Sequence, residues 1–557
     1  MTDFAQQPPK LGNQYDDDAV LRSYLRWRLP QEVHAALEPD WHRLGHRVAT
    51  DILKSGEAAE AAPPRHVPFD AWGRRVDRIE TSDAWRELDR ISATEGIVAT
   101  AYERANGSYS RIDQFVRLYL FAPSSALYSC PLAMTDGAAR FLEVHGDDST
   151  RGVFTHLTSR DPNEFWTSGQ WMTERTGGSD VGATTTVARC EAGNDYRLYG
   201  AKWFTSATTS QVAMTLARIE GSPPGGAGLS VFLVKLRDDD GNLRNVRVER
   251  LKDKLGTRAL PTAELTLEGT PAQLVGGAGD GIRKIATLFN ITRVYNTVAA
   301  AAGMRRAIAL ATDYARHRTA FGKPLVDHPL HVETLADMAL EARVAFMLAF
   351  RVVELLGKEE CGEATDAELQ ILRFLIPVAK LYTAKRAIAV ASEALEAFGG
   401  AGYVEDTGIP RLLRDAQVLS IWEGTTNVLS LDTLRAIGRT NALTAWSADV
   451  VSRLAAVNEP VLETATKRVS SSLQSIEPYA ARTAGAGEEF QQAGARAFSY
   501  AIAGIEAATL LIQHAGASKD PTAVIAAQRW CRRELALLLE GDEHHRARSA
   551  RLISSDS

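Results

Sequence analysis

The chain has 557 residues, 45% of them hydrophobic and 24% charged, with a formal net charge of −6. That composition excludes a disordered chain, a collagen and a coiled-coil rod, and the acidic balance excludes nucleic-acid binding through overall charge. Four cysteines, Cys130, Cys190, Cys361 and Cys531, lie far apart with no C-x-x-C pair, which excludes a disulfide scaffold and argues against a zinc site.

At roughly 100–200 residues per domain, the length predicts about three to five domains. The first twenty residues have no apolar core and no basic start, so they do not read as a signal peptide. No stretch reaches the run of uncharged apolar residues that a membrane span needs, and Val344–Phe350 is cut short by Arg343 and Arg351. The expectation is a cytoplasmic protein with reduced thiols and no membrane association.

Residues 1–165 read as an N-terminal helical domain. Apolar residues recur at three- and four-residue spacing through Asp17–Arg28, Glu32–Ala49, Ala84–Asn106 and Ser110–Phe121. Ser55–Pro68, rich in Ala, Pro and Gly, reads as a loop. The texture then changes to short β-branched and aromatic runs at Thr184–Cys190, Tyr196–Ser206, Val212–Ile219, Leu229–Leu236, Val246–Leu251 and Ala263–Glu268. Strands at this spacing predict an antiparallel β domain over 166–275.

After the glycine run at 276–281 the helical period returns. Ile282–Arg316, Pro329–Leu356, Asp366–Gly399 and Thr425–Ile437 predict a helical bundle over 276–439. An Ala-rich helical segment fills 440–557. The class is therefore α+β, mostly α: helices, a small β domain, a bundle and a helical extension. The glycine run lacks the G-x-G-x-x-G spacing and precedes a bundle, so it is not a Rossmann fingerprint. No Walker P-loop, H-E-x-x-H or G-x-S-x-G occurs.

Three segments carry the chemistry. The first is Trp171-Met172-Thr173-Glu174-Arg175-Thr176-Gly177-Gly178-Ser179-Asp180-Val181, followed by Lys202-Trp203-Phe204-Thr205-Ser206. The second is Arg316-His317-Arg318-Thr319-Ala320-Phe321-Gly322. The third runs from Glu396-Ala397-Phe398-Gly399-Gly400 through Arg414-Asp415-Ala416 to Ile421-Trp422-Glu423-Gly424-Thr425-Thr426-Asn427. In this order, across roughly 80–440, they resemble the acyl-CoA dehydrogenase family of flavoproteins. Arg250–Gly256 and Leu431-Asp432 make the chain most similar to the AidB-type branch, and the C-terminal extension fits that branch.

The resemblance implies FAD as cofactor. Met172 and Thr173 would present backbone groups to the flavin's polar edge, Trp203 a flat face, and Thr205 or Ser206 a hydroxyl near the reactive edge. Gly178 would allow close approach of the chain, and Ser179 would bond a flavin phosphate or the CoA chain. Arg318 and Phe321 would reach the FAD of a neighbouring subunit, although Ala320 stands where the family often has a hydrogen-bonding side chain. Glu396, Gly399 and Gly400 match a segment closing over that cofactor, with Glu396 replacing a common Gln. Thr425 and Asn427 match further FAD contacts.

Glu423 is the implied base. The reaction removes the acidic proton α to a thioester carbonyl, and a carboxylate in a dry slot suits that task, because burial favours its protonated form. The backbone N–H of Gly424 would support the developing enolate, and the absent side chain would leave room for the acyl group. Some relatives carry the base on the helix before the Arg318 motif, where this chain has Thr292, which is no carboxylate base. Arg293 beside it matches a position near the CoA or the floor of the site, or else forms a structural ion pair. The implied function is an acyl-CoA dehydrogenase that passes electrons to an electron-transfer flavoprotein and assembles as a homo-oligomer, a tetramer in the family.

Two other readings stay open. AidB-type relatives are linked to alkylation and DNA, but residues 440–557 carry 12 Lys+Arg against 13 Asp+Glu, and counterion release needs unopposed cations. Some relatives of this branch also bind long acyl chains more than they turn them over.

Overall fold

The computed structural model describes residues 6–238, 240–538 and 549–553. Helices dominate the N-terminal part, from Ala19–Arg28 to Arg151–Leu157. The expected loop at Ser55–Pro68 is instead the end of the helix Asp51–Ala61 and the start of a hairpin, Arg65–Phe69 paired with Arg75–Glu80. Ala and Glu favour the helix as far as Ala61, and Pro63-Pro64 prevents its continuation. Asp77 fastens this hairpin to the next domain: its carboxylate pairs with Arg75 and accepts from the Val248 amide at 3.1 Å.

The middle domain is a seven-stranded sheet that closes on itself. Its order is Ser168–Trp171, Val212–Ile219, Val187–Ala192, Asp195–Ser206, Thr262–Val275 and Leu229–Lys235, and the last of these pairs back to Val212–Ile219. Val246–Leu251 adds to Thr262–Val275. Most pairings are antiparallel as expected, but Ser168–Trp171 and Val187–Ala192 run parallel to Val212–Ile219. Val212–Ile219 shows why the domain sits where it does. Its successive side chains point to opposite faces, so Ala213 and Ala217 join the core with Phe232 and Leu265, while Val212, Met214 and Leu216 pack with Phe141, Ile285 and Leu288 of the helices.

The bundle consists of Gly281–His317, Pro329–Glu360, Asp366–Ala397, Pro410–Leu419 and Thr426–Arg439. Thr365 and Glu368 form a capping box that starts Asp366–Ala397. The short helix Pro410–Leu419, begun by a proline at its first position, was not evident from periodicity. Beyond it, the extension packs its helices onto the same core that joins the bundle to the N-terminal helices. Its long helix Glu488–Ser518 has the length and hydropathy of a membrane span, but most of it is buried in this fold. Glu506 at its centre is fully buried and bonds Trp446 at 2.9 Å and Arg453 at 2.6 Å.

Candidate active site

Glu423 sits in the turn between Pro410–Leu419 and Thr426–Arg439. The amides of Ile421 and Trp422 both bond back to Val418 O, which closes the first helix. Thr425 caps the second by accepting from the Val428 amide. Between them Glu423 has φ +57° and Gly424 φ +101°. A left-handed glutamate costs about 1–2 kcal/mol, so the surroundings must hold it there.

Two helices supply the hold. From Gly281–His317, Thr292 Oγ1 donates to Glu423 Oε2 at 2.6 Å and Arg293 Nε donates to Glu423 O at 3.2 Å. One turn further on, Asn296 donates to Leu419 O at 3.0 Å and accepts from the Trp422 indole N–H. From Asp366–Ala397, Lys380 Nζ donates to Trp422 O and to Gly424 O, each at 2.7 Å. Lys380 is fully buried, and burial brings its ammonium down to a pKa of about 7. Arg293 is further tied to Asp432 at 2.8 Å, which also pairs with Arg373 at 2.7 Å. Its guanidinium thus stands behind the turn in an ion pair, the second of the two places open to it.

The facing wall belongs to the β domain. Thr173 O accepts from the Trp203 amide at 2.9 Å, which sets Trp203 beside Met172 and Thr173. The Met172 side chain is buried in the core, leaving its backbone for a ligand. Trp203 is partly exposed, with Lys252 Nζ 3.7 Å and Arg175 Cζ 5.2 Å from its ring centroid. Thr205 is buried and donates to Ala263 O at 2.9 Å, whereas Ser206 is partly exposed, 3.0 Å from Thr262 Oγ1. The turn Arg175–Asp180, with Gly178 and Ser179, is exposed. A Cβ at Gly178 would come within 2.5 Å of Thr173 Oγ1, so glycine is what lets the turn lie against the strand.

Behind this wall, Glu174 and Lys202 form a buried ion pair at 2.9 Å. Burial opposes ionisation of Glu174, but Lys202 and the Thr185 and Thr186 hydroxyls outweigh it and hold the carboxyl at about 2. The two walls meet near Cys130, whose thiol is pushed up to about 12 by burial and feels the charges of both Lys254 and Glu423. Lys254 Nζ in turn reaches Thr262 Oγ1 at 3.1 Å, beside Ser206. The donor set of the β domain fits a flat, hydrogen-bonding ring: an indole face, backbone groups, a hydroxyl and two nearby cations.

The other predicted residues lie elsewhere. Arg318 ends the Gly281–His317 helix, roughly 25 residues or about 37 Å beyond Arg293. Phe321 follows it in a small hairpin and is 98% exposed. Glu396, Gly399 and Gly400 are exposed at the end of Asp366–Ala397, next to Arg318's helix through the Tyr314–Phe398 ring contact. These five form a second cluster at the far ends of two long helices, away from the turn that carries Glu423. Asn427 is exposed on the first turn after Thr425.

Sequence reasoning missed Lys380 and Asn296 and gave Asp432 no role. Lys380 had a signal: it is the one charge in Phe374–Tyr382, and a lysine amid core residues is rarely buried without partners.

Comparison with known proteins agrees with this layout. Residues 6–162 match the adaptive response protein AidB N-terminal domain, 169–270 the acyl-CoA dehydrogenase middle domain and 279–438 the acyl-CoA dehydrogenase C-terminal domain. Residues 441–557 match the acyl-CoA dehydrogenase 11 C-terminal domain-like model. Acyl-CoA dehydrogenase family member 11 of Caenorhabditis elegans is 43% identical over 95% of this chain and 88% of its own length. The putative acyl-CoA dehydrogenase AidB of Escherichia coli (strain K12) is 34% identical over 71% of this chain and 73% of its own. The crystal structure of Caenorhabditis elegans ACDH-11 in complex with C11-CoA superposes with a TM-score of 0.97 at 40% identity, covering 100% of this chain and 98% of that one.

Proposed function

Since the chain belongs to the acyl-CoA dehydrogenase family, in its AidB-type branch, we propose that it is an FAD enzyme that desaturates an acyl-CoA between Cα and Cβ, with Glu423 as the base. The observation that carries this reading is the hold on Glu423: a carboxylate kept in a left-handed turn by two helices.

FAD, when bound, supplies the hydride acceptor. The chain's own residues do the rest. Trp203, Ser206 and the backbone at Met172 and Thr173 hold and orient the ring. Glu423 removes the α proton. Thr292 donates to that carboxylate and fixes its orientation. The amide of Gly424 supports the thioester oxygen as it gains charge. Arg318, Phe321, Glu396, Gly399 and Gly400 serve a neighbouring chain, because their distance along the helix removes them from Glu423. That sharing supports a homo-oligomer, tetrameric in our reading, with an electron-transfer flavoprotein as acceptor. The unpaired cysteines support a reducing, cytoplasmic setting.

The test is anaerobic. Straight-chain acyl-CoAs are added to the FAD-loaded protein and the oxidised flavin band is followed. We expect bleaching by at least one of them, slowed by about 10²–10⁴-fold in Glu423→Gln with FAD content unchanged. Acyl-CoA binding without bleaching would leave a ligand-binding protein and overturn the enzymatic reading.

A further inference from the structure

The turn that carries Glu423 points its carbonyls in a definite pattern. In a planar trans peptide, the C=O and the following N–H point to opposite sides. Trp422 O and Gly424 O both accept from Lys380, and Glu423 O accepts from Arg293. The peptide planes on either side of Glu423 are therefore fixed, and so are the direction of its side chain and the amide of Gly424 on the far side of the Glu423–Gly424 peptide. Lys380 grips both flanking carbonyls, at 2.7 Å each and from a fully buried position.

We propose that Lys380 is a positioning residue for the reaction: by holding the carbonyls of Trp422 and Gly424, it aims the Glu423 carboxylate at the substrate α carbon, while Arg293, on Glu423 O, sets the Gly424 amide toward the thioester oxygen. This rests on Glu423 being the base. Lys380 touches neither substrate nor flavin. It acts through the backbone, so its loss should slow proton removal without weakening the binding of either ligand.

The test reads proton removal directly. FAD-loaded protein is incubated with undecanoyl-CoA in D2O and deuterium entry at Cα is followed by NMR, beside FAD content, melting temperature and undecanoyl-CoA affinity. In Lys380→Met the exchange rate should fall by about 100-fold, the cost of a roughly 1 Å misplacement, with FAD content and acyl-CoA affinity retained. Lys380→Arg, which keeps two or more donors, should recover most of the rate. If the methionine variant does not fold, Lys380→Gln, which keeps a single amide donor group, takes its place with the same expectation. Unchanged exchange in a folded, FAD-loaded variant would overturn the proposal and leave Lys380 a purely structural lysine. Absence of exchange in the unmodified protein, or equal exchange in Glu423→Gln, would remove Glu423 as base, and that outcome is distinguishable from the failure of Lys380 alone.

Discussion

Thr292 and Glu423 are 131 residues apart, yet Oγ1 of the first donates to Oε2 of the second at 2.6 Å. That bond fixes the direction in which the carboxylate points. On the proposed function, we therefore expect Thr292→Val to lower kcat by about tenfold, the equivalent of a hydrogen bond worth roughly 1.4 kcal/mol. Thr292→Ser should restore the rate. An unchanged kcat in the valine variant would show that the hydroxyl does not bear on the reaction.

On the proposed function, Trp203 supplies an aromatic face to FAD. Trp203→Leu should weaken FAD binding by roughly tenfold, from an aromatic contribution of about 0.5–1.5 kcal/mol. The readout is the flavin-to-protein absorbance ratio after gel filtration. Trp72→Leu is the control, because Trp72 lies on the N-terminal hairpin and is 94% exposed. Equal FAD loss in both variants would refute a specific role for Trp203.

The Glu174–Lys202 pair ties the exposed glycine turn to the strand bearing Trp203. Lys202→Met leaves Glu174 buried without its cation and should cost about 3–5 kcal/mol in urea unfolding at neutral pH. The pH dependence has a fixed sign. Glu174 sits at about 2 in the folded chain, below its ordinary value of 4.5. Its contribution is therefore complete above about pH 4.5 and is lost as pH falls toward 2. The Lys202→Met variant should show a shallower loss of stability across that window than the unmodified protein. Parallel acid curves would contradict the pairing.

Two arginines near the end of the extension are answered within the chain. Arg529 pairs with Glu333 and Asp337, and Arg533 with Asp337 and Glu341. Arg546 and Arg548 lie outside the described residues. With those pairs in place, a fluorescent duplex DNA should show no saturable, salt-sensitive anisotropy change on titration with the protein. A steep salt dependence would restore the nucleic-acid reading.

The fold was legible where periodicity was strong. The middle strands and the long helices of the bundle read directly from β-branched runs and from three- and four-residue spacing. The hairpin at Arg65–Glu80 did not, because His66, Arg75 and Arg78 interrupt any apolar alternation and Asp77 holds it through charge. Glu423, Trp203 and Arg318 were found by motif. Lys380 and Asn296 escaped because they act on backbone carbonyls or through an indole N–H, and a carbonyl leaves no trace in the residue that carries it. The resemblance had already set the Arg318 segment apart from Glu423, and the helix they share gives that separation a length, about 37 Å from Arg293 to Arg318.

Gripping a turn by its main-chain oxygens has an evolutionary consequence. Such a grip is indifferent to which side chains the turn displays. Ile421, 61% exposed at its edge, can be exchanged without loosening either lysine contact. On the proposed function, the side chains around the turn can therefore drift across descendants of this chain while the geometry of proton removal is inherited intact.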